Sequence, residues 1–406
     1  MSARQRGSTR WLPIATAGLF VLAACTGGPP ATTDPPAQPT PAPADTPAPA
    51  DTPVGTDYNQ TYNRSGTTAD LLDITEFCGD KPMKVAMADG FGGNSWRKIT
   101  RAEFEDEAAK CPNITEVAYT DGQNDPQKAI SDLNGLVAQG FDVIIGFADA
   151  GEAMAPSYKD AFDAGISIVP YIAPPGAAEP GVAVTDVVRE DVAEYGRVLA
   201  EWTIEAMGGE GNLVMLGGTP GNGYSAAVYE AVKAAAANHP NVNLLNIDQG
   251  DTYIITNWEP GRTQEVVAGL LTQFPSIDGI VSDYGGGSVG GIRAFQAANR
   301  PIPPWSANDS NEFACLWVNR DPSEERYQIA TISSRNWISR VALRRAVANF
   351  QGIQNPEPQI IVLPLSEDSL SDDPALAPQC DEDLPPDAIL SSQLSTDQLK
   401  ELFAGQ

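Results

Sequence analysis

From Lys81 onward, short apolar runs alternate with longer stretches in which apolar side chains recur every three or four positions. That alternation of period and length predicts β-strands each followed by an amphipathic helix, the βαβ pattern of a parallel sheet. Strands are expected at 84–89, 115–120, 141–147, 166–171 and 181–185, and helices at 96–110, at 126–139 and between the third and fourth strands. In the helix at 96–110, Ile99, Ala102, Phe104 and Ala108 share the apolar side, and the next helix opens with Asp125 as cap and Pro126 in its first turn. The pattern then restarts with helices at 191–207, 224–238, 261–274, 288–298 and 337–351 and strands at 211–216, 243–248, 278–282, 305–308 and 328–332. Two similar runs predict two lobes of about equal size. Ligands of such sheets bind beyond the carboxyl ends of the strands, so the residues just after each strand are the candidates.

The first 77 residues break this pattern. Arg4, Arg6 and Arg10 precede a short apolar stretch ending Leu22-Ala23-Ala24-Cys25, which reads as a secretory signal over 1–24. Its end resembles the bacterial lipobox, in which Cys25 becomes a lipidated first residue. Residues 26–56 hold 10 prolines in 31 positions, a composition that cannot bury a core, so 25–77 is expected to be an extended tether. Four more cysteines follow, Cys78, Cys111, Cys315 and Cys380, an even number that points to two disulfides in an exported protein, with three pairings open.

Composition narrows the chemistry. The 406 residues carry 25 basic and 53 acidic side chains, a net charge of −28, which argues against nucleic acid as partner. Without the signal the balance is 22 to 53, or −31, and nine of the acids lie in 357–387. The excess is thus partly a property of the tail. A single histidine, His239, leaves little scope for a histidine-rich metal site or a His-based proton relay.

Four stretches carry a resemblance to a known family: VAMADGFGGNSWRKI at 85–99, DGQNDPQK at 121–128, FDVIIGFAD at 141–149 and DGIVSDY at 278–284. They resemble the first strand and its Asn-x-aromatic turn, the second-strand turn, the third strand and a ligand-contacting strand end of the ribose/galactose-type periplasmic sugar-binding proteins, the type I solute-binding proteins of ABC importers. The resemblance covers about 81–365. It implies an α/β fold of two Rossmann-like lobes with parallel sheets and a hinge, the chain crossing between lobes near 186, 333 and 365. The N-terminal lobe would be 78–185 plus 334–364, and the C-terminal lobe 186–333 plus the acidic tail 365–406. Under that division the pairing Cys78–Cys111 with Cys315–Cys380 keeps each disulfide inside one lobe and leaves the hinge free.

The resemblance also implies a monomeric, lipid-anchored binding protein on the outer face of the cell membrane. It would deliver a small ligand, a sugar in view of the family, to an ABC permease and its ATPase, without cofactor, metal or catalysis. Sugars are held by an aromatic face against ring C–H groups and by charged or amide groups around the rim. Trp96 and Trp258 are the expected aromatic faces. Asp89, Asn94, Asp149, Asp283 and Asp309 are the expected polar contacts at strand ends, and Arg335, near Trp337, is expected at ligand or hinge. Two departures stand out: the fourth strand runs into Tyr171-Ile-Ala-Pro-Pro175 where the family has an Asp-Arg pair, and a family arginine is missing near 224, leaving Asn222 or Tyr224 to substitute. The pocket is therefore not that of a ribose protein.

Three other readings are open to the same residues. A lipid-anchored sensor for a small polar signal shares the fold. A carboxylate-dependent glycosidase would need a paired set of acids. GGGSVG at 285–290 fits the dinucleotide pattern Gly-x-Gly-x-x-Gly between strand and helix, yet it equally suits any close approach to backbone N–H groups.

Overall fold

The computed structural model describes residues 72–173, 175–320 and 326–404. The signal, Cys25 and most of the proline-rich segment lie outside the described residues.

The first lobe begins with β1 (Met83–Asp89), α1 (Ser95–Ala109), β2 (Ile114–Asp121), α2 (Pro126–Ala138), β3 (Val143–Phe147), α3 (Ala155–Asp163), β4 (Ser167–Ile172) and β5 (Val188–Glu190). The second follows with α4 (Val192–Ala206), β6 (Gly211–Gly217), α5 (Gly223–Ala237), β7 (Val242–Leu244), β8 (Ile254–Ile255), α6 (Pro260–Gln273), β9 (Gly279–Ser282), α7 (Gly285–Ala297), β10 (Trp305–Asn308), α8 (Asn311–Val318) and β11 (Ile329–Ile332). The chain then returns through α9 (Ile338–Gln351) and β12 (Ile360–Ile361), and ends with β13 (Leu365–Asp368) and α10 (Thr396–Phe403). One sheet has the order β12-β5-β4-β3-β1-β2 and is parallel throughout. The other has the order β13-β11-β10-β9-β6-β7, with β8 also on β6 and only β13 antiparallel.

Burial explains the strand pattern. All five residues of β3 and all six of β4 are buried, because helices cover both faces of the sheet. Side-chain caps start the helices where expected: Asn94 accepts from the Arg97 amide, Asp125 from Gln127 and Lys128, Asp191 from Glu194 and Asn222 from Ser225. The GGGSVG run is the first turn and a half of α7. A Cβ on Gly290 would lie 1.8 Å from the Pro260 carbonyl oxygen, so close helix packing of α6 on α7 accounts for glycine there.

Several expectations need correction. Residues 181–185 do not form a strand. The Glu179 carbonyl receives the amides of Val182, Ala183 and Val184 and turns the chain, so the sheet strand is β5 and the first sheet runs on to Glu190. The strand expected at 243–248 stops at Leu244, because the Asn246 side chain bonds both the amide and the carbonyl of Met215 at 2.8 Å and takes the place of ladder partners on β6. The end of the expected tether is docked rather than extended. Asp73 caps a short 3-10 turn, Ile74–Glu76, that buries Ile74 and Phe77.

The acidic tail does not stay with the second lobe either. β13 pairs with β11, but Gln393 then donates its amide to Glu103 of α1, and Gln398 of α10 bonds Asp106. The tail is thus a fourth connection between the lobes. Disulfides join Cys78 to Cys111 and Cys315 to Cys380.

Candidate functional site

The loop after β1 builds the first wall. Asp89 ends that strand, and its Oδ1 accepts the amides of Phe91 at 3.0 Å and Gly92 at 3.2 Å, curling the chain toward the Asn94 cap. Capping fixes the first turn of α1, which aims Trp96 and Arg97 inward. The Trp96 indole donates to the Ser334 carbonyl at 2.8 Å and meets the Phe147 ring edge-on at 5.7 Å. The Arg97 guanidinium lies between Asp89 at 3.0 Å and Asp149 at 2.7 Å, stacked 3.9 Å from the Phe147 centroid. Burial works against its charge, but Asp149 and Asp89 more than offset this and raise its pKa. Burial dominates at Asp149, with Asp89 adding to it and Arg97 opposing, and its carboxyl is pushed up to about 6.

The second wall centres on Asp283, just past β9. Its Oδ2 accepts from Ser225 Oγ at 2.5 Å and its Oδ1 from the Trp258 indole at 2.9 Å. Trp258 has a left-handed backbone, φ +56, and its ring covers Gly218, where a Cβ would stand 2.1 Å from it. Glycine is therefore required at 218 for this ring position. Phe91 of the first lobe meets Trp258 edge-on at 5.3 Å. The two walls touch across the cleft.

The turn between β11 and α9 supplies the floor. Arg335, left-handed at φ +49, places its Nε 2.8 Å from Glu190 Oε2, and its Nη2 donates to the Tyr224 hydroxyl. That hydroxyl in turn donates to Glu190 Oε2 at 2.8 Å. The rings of Tyr195 and Tyr224 flank the guanidinium at 4.9 and 5.0 Å. Its Nη1 is buried with no hydrogen-bond partner among the described residues.

Together these groups surround one small cavity, about 380 Å³ of non-atom space including its open mouth. The lining is Asn94, Trp96, Arg97, Phe147, Tyr224, Trp258, Asp283, Tyr284, Asn308 and Arg335. Five expected residues, Asn94, Trp96, Trp258, Asp283 and Arg335, thus come together around one cavity, as does Tyr224, the expected alternative to Asn222. Four do not line it. Asp89 and Asp149 stand behind Arg97 and hold it, and Asn222 is spent as the α5 cap.

Asp309 is the largest departure. It accepts the Ser334 amide at 2.5 Å, the Ser391 amide at 3.0 Å and the Ser391 hydroxyl at 2.8 Å, and so pins the end of β10 to the hinge and the tail. Arg97, Phe147 and Tyr284 were not singled out from the sequence. A Trp-Arg pair in a helix's first turn reads as one buried and one solvent-facing residue, and only the fold brings Asp149 to Arg97.

The Asp283 carboxyl is likewise pushed up to about 6 by burial, which the Ser225 and Trp258 hydrogen bonds only partly offset. A raised folded pKa means that the group favours the folded state most below its unfolded pKa and loses that advantage as pH rises through about 6. Between pH 4 and 7 the protein is therefore expected to lose roughly 2–3 kcal/mol relative to Asp283→Asn. Urea midpoints of both proteins across that range check this; a difference that stays flat or grows in favour of the wild type contradicts it.

Residues 85–337 match the family described as periplasmic binding protein domain. The xylitol-binding protein of Mycolicibacterium smegmatis is 26% identical over 203 residues, covering 50% of this chain and 55% of that protein. The galactofuranose-binding protein YtfQ of Escherichia coli is 25% identical over 171 residues, covering 42% of this chain and 53% of that one. The chain thus spans about half the length of these relatives. Among solved structures, the myo-inositol-binding protein of Caulobacter, bound to myo-inositol, superposes with a TM-score of 0.60 at 23% identity, covering 71% of this chain and 95% of that one. That likeness is one of fold.

Proposed function

The chain belongs to the periplasmic binding protein domain family, and from that premise we propose that it is an extracytoplasmic receptor for a small, uncharged polyhydroxylated ligand, a sugar or polyol. It holds this ligand between its lobes and hands it to an ABC permease and ATPase, tethered to the membrane through lipidated Cys25. The observation that carries this reading is the cleft itself. Trp96 and Phe147 from one lobe and Tyr224, Trp258 and Tyr284 from the other line a single small cavity, and Arg335 Nη1, buried at its floor, lacks a partner.

Aromatic faces cover C–H surface at low entropy cost, and an unpaired buried donor gains most from a ligand oxygen. A ligand touching both walls stabilises the arrangement in which they meet, which is how binding closes a hinge. The named ligands of the relatives, xylitol, galactofuranose and myo-inositol, are all uncharged and rich in hydroxyls. Binding without turnover is favoured because Asp283 is the one carboxylate among the lining residues and both its oxygens are already engaged.

A thermal-shift screen of pentitols, hexitols, inositols, monosaccharides, sugar acids and amino acids tests this. An uncharged hit should stabilise on the order of 4 kcal/mol at a thousandfold excess over Kd. Stabilisation by amino acids or sugar acids alone, or by nothing in the screen, overturns it.

A further inference from the structure

Glu190 lies outside the cavity lining yet governs its charge. It ends β5, at the first passage between lobes, and its side chain is 1% exposed. It reaches two pocket residues from different segments, Arg335 of the second passage and Tyr224 of α5. Resting on the sugar or polyol reading above, we propose that Glu190 is the specificity determinant that confines the pocket to uncharged ligands, by cancelling the positive charge of Arg335 while leaving its Nη1 free to donate.

The charge arrangement supports this. Arg97 is already matched by both Asp89 and Asp149. Arg335 is matched by Glu190 at 2.8 Å and feels Asp283 as well. Four carboxylates thus face two guanidiniums in a buried space. A carboxylate or phosphate ligand would lose its hydration there and meet no net positive charge in return. A hydroxyl oxygen accepts from Arg335 Nη1 and adds no charge. The guanidinium is confined in this role: Tyr195 and Tyr224 flank it, Nη2 donates to the Tyr224 hydroxyl, and the Glu190 carboxylate pairs with it as an ion 2.8 Å from Nε. Glu190 Oε1 also lacks a partner among the described residues, so removing the charge does not break a saturated network.

The test is Glu190→Gln, which keeps the size of the side chain and its acceptor toward Tyr224 but discards the charge. Calorimetry is run with xylitol and D-galactose, and with xylonate and galactonate as their carboxylate counterparts. The wild type should bind at least one neutral compound and neither anion. In E190Q the ratio of neutral to anion affinity should fall at least about tenfold, one step of 1.4 kcal/mol. Glu190→Asp, which keeps the charge, should retain the exclusion even if overall affinity drops.

A purely structural role would weaken all ligands alike and leave the ratio in place, and that result in folded E190Q overturns the proposal. So does an E190D that accepts the anions as readily as E190Q. Should E190Q fail to fold, Asp283→Asn removes the neighbouring charge and should move the ratio in the same direction; an unmoved ratio overturns the charge argument. A wild type that binds neither neutral compound while binding the anions overturns the underlying functional reading as well.

Discussion

Alanine at Arg335 is expected to remove measurable ligand binding, a loss of at least about a hundredfold by calorimetry, and to lower stability at the same time. Both effects follow from the same contacts. The guanidinium offers the cavity an unpaired buried donor, Nη1. It also neutralises Glu190, whose side chain is 1% exposed. Stranding that carboxylate costs about 3–5 kcal/mol, whereas replacing both partners of a buried pair by uncharged groups is often close to neutral. The double variant Arg335→Met/Glu190→Gln should therefore recover most of the stability and none of the binding. Recovery of binding with stability would show that Arg335 acts only as scaffold.

Asp309→Ala should behave in the opposite way. Two backbone amides, of Ser334 and Ser391, and one hydroxyl converge on that carboxylate, and none would find a replacement acceptor in a methyl group. Leaving buried donors unpaired costs about 1–3 kcal/mol each, so a total near 3 kcal/mol and a melting midpoint lower by roughly 5–10 °C are expected. Since Asp309 does not line the cavity, the folded fraction should keep its affinity. Calorimetry below the transition separates the two outcomes: a large loss of affinity in folded Asp309→Ala would return this residue to the ligand.

The contrast between these two residues shows what the sequence carries. Both follow a strand of the second lobe, and both sit where ligand contacts are expected. What separates them is partners 25 and 82 positions away from Asp309 and 145 positions away from Arg335, at Glu190. Strand runs and helix periodicity are local, so the alternation of elements, the cap at Asp125 and the two lobes were legible. The strand at Val188–Glu190 was not, because its place is fixed by a turn at Glu179 and by pairing with Ile360–Ile361 far along the chain. The tail misled for the same reason. Its acidity marks it as solvated, and nothing local tells that Gln393 and Gln398 bond Glu103 and Asp106 of α1.

Within the site, aromatic and carboxylate positions were recognisable by type. Their division into those that touch the cavity and those that hold Arg97 was not, since it depends on the chain bringing Asp149 to a residue 52 positions earlier.

Solving the crystal structure of the protein with the uncharged compound that most raises its melting midpoint tests the central claim most directly. The account predicts one polyhydroxylated molecule between Trp96 and Trp258, in contact with both lobes and with an oxygen accepting from Arg335 Nη1. A molecule bound on one lobe only, or away from Arg335, would contradict it.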